Sequence, residues 1–123
     1  MLKTNTKKAR DNIRAYIVNN TINEDGDTFP DFSAARDYIM TAYREEMSGD
    51  YRVRRAPYMI NSYGLFRGWA SGLPSGMPFD YFYRPAVPVL GDILEESEEE
   101  RARYTERQAE ELFSRLIFRE LTR

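Results

Sequence analysis

Between Thr105 and Leu121 the sequence TERQAEELFSRLIFREL sets Ala109, Leu112, Phe113, Leu116, Ile117 and Leu121 three and four residues apart. That spacing predicts an α-helix with one broad apolar face. A helix of this length is marginal alone in water, so the face has to be covered by the rest of the chain. Its start is marked by Thr105 and Gln108, which have the spacing of a capping box, and Ser97 with Glu100 repeats the signal one short turn earlier.

Two other segments carry the same period. Ala9, Ile13, Tyr16 and Ile17 predict a helix from Thr4 or Thr6 to about Val18, where paired asparagines, an Asp-Gly turn and Pro30 interrupt it. Phe32, Ala35, Ile39, Ala42, Tyr43 and Met47 predict a second, capped by Asp31 or Ser33 and closed by Gly49. Tyr51 to Arg54 alternates as a short strand or an extended crossing. Met59, Tyr63, Phe66, Ala70 and Leu73 then predict a third long helix. It has Gly64 and Gly68 four apart, a bare backbone face suited to a close neighbour, including a second copy of the chain. After Pro88, VLGDILEES predicts a short helix with Val87, Leu90 and Leu94 inward. The expected fold is mainly α. It is a single compact helical domain over residues 1–123, with about five helices and one irregular Gly/Pro/aromatic loop.

Composition narrows the chemistry. The chain has no cysteine and no histidine, which excludes thiol nucleophiles, disulfides, histidine triads and histidine–metal ligation. Eighteen basic residues stand against twenty acidic ones, a balance that names no partner. No stretch is long and apolar enough to span a membrane, and MLKTNTKKAR lacks the apolar run of a secretory signal, so a cytoplasmic protein is expected. The glutamates at 95, 96, 98, 99 and 100 read as a solvated helix start. Arg107, Glu111, Arg115, Arg119 and Arg123 recur every four residues and read as structural, with Glu111 paired to Arg115.

No constellation predicts catalysis. Asp80 among Tyr81 and Tyr83 could be a desolvated carboxylate, but it lacks a second catalytic group, and a turn cap or a pair with Arg84 explains it better. Asn23, Asp25 and Asp27 alternate as in a calcium loop. The glycine is misplaced, however, and residue 32 is Phe where the closing Glu belongs, so a turn is expected and no metal. No phosphate-cradling glycine loop is present. The expectation is a non-enzymatic protein without a cofactor.

Binding signals lie elsewhere. Tyr51, Arg52, Arg54 and Arg55 combine the residue types that anchor protein interfaces. The Gly/Pro-rich stretch RGWASGLPSGMPFDYFY adds Trp69, Phe79, Tyr81 and Tyr83, which either plug the core or form an exposed binding face. Lys7, Lys8, Arg52, Arg54 and Arg55 are the alternative set, able to touch nucleic-acid phosphates.

The F-x-x-W-x-x-G-L-P-S element, the FDYFY run and LGDILEESEEERARYTERQAEELFSRLIFREL resemble small accessory proteins carried by phages and conjugative elements of gut Firmicutes, over about residues 60 to 121. That family has no assigned activity. What the resemblance implies is a mobile-element setting, in which such proteins often bind a host or rival-element protein, inhibitors of host defence among them.

Overall fold

A computed structural model describes residues 1–23, 27–48, 58–59 and 85–123. Its elements are α1 (Lys7–Asn20), β1 (Thr21–Ile22), α2 (Phe32–Ser48), β2 (Tyr58–Met59), α3 (Ala86–Ile93), α4 (Glu98–Arg101) and α5 (Glu106–Leu121). The protein is mainly helical, as its periodicity predicts.

The apolar stripes meet as expected where their side chains are described, which leaves out those of Ala42, Tyr43 and Met47. Ala9, Ile13 and Ile17 of α1, Ala35 and Ile39 of α2, Ala86, Leu90 and Ile93 of α3, and Ala109, Phe113, Leu116, Ile117 and Leu121 of α5 form one buried cluster. Phe113 sits near its centre and meets Tyr16 edge-on, ring centroids 5.1 Å apart. Fully burying a side chain of this kind contributes about 2 kcal/mol. Phe29 packs onto Tyr38 of α2, at 5.0 Å between ring centroids.

The caps explain where each helix begins. Thr6 Oγ1 accepts from Ala9 N, Asp31 Oδ1 from Ala34 N, Ser97 Oγ from Glu100 N and Thr105 Oγ1 from Gln108 N. Both predicted capping boxes close reciprocally.

Four local readings change. The asparagines do not stop α1 at Val18: the helix continues through Asn20, whose side chain donates to the Tyr16 carbonyl, and Thr21 ends it with Oγ1 on the Ile17 carbonyl. Next, α3 begins before Pro88. The Glu106 carboxylate accepts from both Ala86 N and Val87 N, at 2.7 and 3.0 Å, and proline at the third position lacks only an N–H that would need a partner. Glu106 thus joins the start of α5 to the start of α3. Met59 is the third change. It does not open a helix, because Tyr58 and Met59 pair antiparallel with Ile22 and Thr21. Residues 60–73 of that expected helix lie outside the described residues.

The fourth concerns the acidic run. Glu95 ends α3 in the left-handed region at φ 53°, the place usually taken by glycine. Glu96 N donates to Gly91 O and Glu95 N to Asp92 O, the paired bonds of a Schellman closure. This turn carries Glu96 inward, so Glu96 is buried rather than solvated. Arg101 lies across the same turn, donating from Nε to Glu96 O and pairing through Nη2 with Asp92. It packs so closely on Gly91 that a Cβ there would meet the guanidinium at 2.5–2.8 Å.

Asn23 and Asp27 close a turn, with Asn23 N on Asp27 O and Asp27 N on Asn23 Oδ1. Among the described residues no group of three or more carboxylates is arranged to hold a metal, and no helix is long and apolar enough to cross a membrane.

Candidate functional site

A polar constellation forms where the end of α5 meets α1. Glu120 follows Leu116 by four residues and Ile117 by three, so the helical period turns its side chain toward the core, and it is 0 % exposed. On α1, Arg10 and Arg14 each stand one residue beyond a core position, Ala9 and Ile13, and share one flank of the helix. Both reach the same carboxylate oxygen: Arg14 Nε lies 2.9 Å and Arg10 Nε 3.4 Å from Glu120 Oε1. Arg123 Nε is 3.5 Å from Oε2, an ion-pair contact without hydrogen-bond geometry, and Arg123 Nη2 donates to Asn5 Oδ1.

Burying a lone carboxylate costs several kcal/mol even after relaxation, so the three guanidiniums are a condition of Glu120 being where it is. They in turn remain partly wet, with the side chains of Arg10 and Arg14 35 % and 38 % exposed. Arg14 also covers the face of Phe32 at 4.9 Å from the ring centroid, and Arg36 approaches the same ring at 5.8 Å. Arg119 donates from Nη2 to the Thr4 carbonyl at 2.5 Å. Three arginines thus meet Glu120, and Arg36 in turn meets Asp37 at 3.8 Å. Glu120 is sealed from solvent beneath guanidiniums where the last helix meets the first.

A second buried carboxylate is held differently. Glu96 Oε1 accepts from the Tyr104 hydroxyl at 3.0 Å, while Oε2 is buried without a hydrogen-bond partner among the described residues. Burial pushes the Tyr104 phenol above its ordinary value, and its hydrogen bond to Glu96 and the charges of Glu96 and Glu100 add to the shift. Nearby, the backbone N–H of Ser97 holds the Glu100 carboxyl below its usual range.

A shallow groove of about 480 Å³ runs between α1 and the end of α3, lined in part by Lys8, Asn12, Asn20 and Glu95. Several of its polar groups are already engaged. Asn12 donates to Ile93 O at 2.9 Å, Asn20 to Tyr16 O, and Lys8 Nζ lies 2.8 Å from Glu95 Oε2.

Of the binding residues predicted from sequence, Lys7 and Lys8 are described. Both are solvent-facing, and each meets a carboxylate: Lys7 Nζ donates to Asp11 at 2.8 Å and Lys8 pairs with Glu95. The bond from Lys7 holds the Asp11 carboxyl below its ordinary value. Tyr51, Arg52, Arg54, Arg55, Trp69, Phe79, Tyr81 and Tyr83 lie outside the described residues, as do Gly64 and Gly68. The arginine ladder of α5 is structural in part: Glu111 pairs with Arg107 at 3.3 Å rather than with Arg115, while Arg119 and Arg123 turn toward the chain start.

No protein-family model, no curated protein and no solved structure matches this chain. Sequence reasoning passed over Arg10, Arg14 and Glu120. The signal was the period itself, which places residue 120 on the inward face with 113, 116 and 117.

Proposed function

We propose that this chain is a non-enzymatic binding protein of a mobile genetic element, acting through contact with a protein of the host or of a rival element, such as a defence component. The supporting observation is the composition of residues 51–83, where arginines and large aromatics of the kind that anchor interfaces are concentrated. The chain is held on both sides of this stretch and once within it. α2 ends at Ser48, Tyr58 and Met59 pair with β1, and Pro85 precedes α3. Arg52, Arg54 and Arg55 therefore lie within a few residues of a strand tied to the end of α1. A fixed framework of that kind lowers the ordering cost of binding.

The test is affinity capture of the tagged protein from its source cells, with and without nuclease, beside Trp69→Ala and Tyr81→Ala. The expected result is a nuclease-resistant protein partner that both variants lose while keeping the wild-type helical circular dichroism. Capture that nuclease abolishes would favour the nucleic-acid reading through Lys7, Lys8, Arg52, Arg54 and Arg55. Variants that fold and still capture the partner would remove Trp69 and Tyr81 from the contact.

A further inference from the structure

The two guanidiniums of α1 are committed at one edge only. Arg10 and Arg14 both spend Nε on Glu120 Oε1, and among the described residues neither makes an ion pair with another carboxylate or a hydrogen bond from Nη. Each side chain is about one-third exposed while its Nε edge is fixed against a buried anchor. The Phe32 ring holds Arg14 from another side. Two adjacent arginines, oriented in advance and bearing more positive charge than the carboxylates beneath them neutralise, are suited to a tetrahedral oxyanion.

We propose that the Nη groups of Arg10 and Arg14, positioned by Glu120, bind the dianionic phosphate of a phosphate monoester. The surroundings favour a compact anion over a polyanionic strand. Asp11 lies next to Arg10 in sequence and Asp37 pairs with Arg36, so among the described residues carboxylates flank the two guanidiniums. An extended phosphodiester would cross carboxylates on leaving them. The site uses none of residues 51–83 and is independent of the proposed protein contact.

The experiment follows the arginine Nε–Hε resonances of the full chain by NMR while inorganic phosphate is added at constant ionic strength, and repeats the titration with a short single-stranded oligonucleotide. The expected result is saturable shifts at Arg10 and Arg14, with a dissociation constant near or below about 1 mM. Arg14→Gln should weaken binding at least about tenfold, the loss of one charge-assisted contact, and Arg107→Gln on the exposed start of α5 should leave it unchanged. Arg14→Lys keeps the charge without the fork. If Arg14→Gln does not fold, weakened binding by the folded Lys variant serves as the same evidence. Absence of saturable shifts, or equal weakening by Arg107→Gln, would overturn the site. An oligonucleotide that binds more tightly per phosphate, with a steep salt dependence, would show a polyanion surface and overturn the choice of a monoester.

Discussion

Glu96 and Glu120 are both buried carboxylates in the same small protein, and they are held by opposite means. Glu96 sits in the turn after α3 and takes one neutral donor, the Tyr104 hydroxyl, eight residues away in sequence. Glu120 takes three cations, two of them on α1 more than a hundred residues away. The first arrangement is local and closes a turn. The second fastens the last helix to the first. A buried charge can thus mark either the completion of a loop or the joining of distant elements, and the sequence separation of its partners distinguishes the two.

The largest effect should come from the long-range cluster. Glu120→Ala leaves three guanidiniums crowded at the α1–α5 junction and is expected to cost about 3 kcal/mol in urea unfolding, the low end for a broken buried pair because the arginines reach water. A loss below about 1 kcal/mol would place Glu120 in the class of surface pairs.

Next is the local pair. Tyr104→Phe removes the donor to Glu96 and should cost about 1–2 kcal/mol at neutral pH. It should also change the alkaline limb. The Tyr104 phenol is raised in the folded protein, so its contribution is intact below the unfolded tyrosine value and is lost as pH rises through the folded one. Stability against pH should therefore fall less steeply above about pH 10 in the Phe variant. Parallel curves for the two proteins would show that Tyr104 does not cause the fall.

The smallest effect tests the turn itself. Glu95 occupies the left-handed region at φ 53°, where glycine avoids a penalty of about 1 kcal/mol. Glu95→Gly also removes an exposed ion pair with Lys8 worth at most about 1 kcal/mol. The net gain should be about 0.5 kcal/mol, measured by the shift in thermal midpoint at neutral pH. A loss would mean that the Lys8 pair outweighs the backbone.

Much of the fold was legible in the sequence because caps and periodicity are local. Thr6, Asp31, Ser97 and Thr105 announced their helices, and the stripes of α1, α2 and α5 predicted the core residues that meet. What escaped depends on contacts across the chain. Nothing near Pro88 shows that Glu106 will cap Ala86 and Val87 from eighteen or more residues on, and nothing near Met59 shows that β1 will claim its backbone. Glu96 looked solvated because it belongs to a run with Glu95, Glu98, Glu99 and Glu100, yet a left-handed residue before it reverses the direction of the chain. Glu120 was hidden by its chemistry: a charged residue on an apolar face is read as exposed unless its partners are known. The candidate contact residues from Tyr51 to Tyr83 were chosen by composition alone and lie outside the described residues.

The most direct test of the account is a double-mutant cycle on Glu120 and Arg14, with Glu120→Ala, Arg14→Ala and the double variant unfolded in urea. If the buried carboxylate joins α5 to α1 through Arg14, the coupling energy should exceed about 1.5 kcal/mol. Additivity within about 0.5 kcal/mol would mean that the two side chains lie side by side without holding the helices together, and would contradict the account.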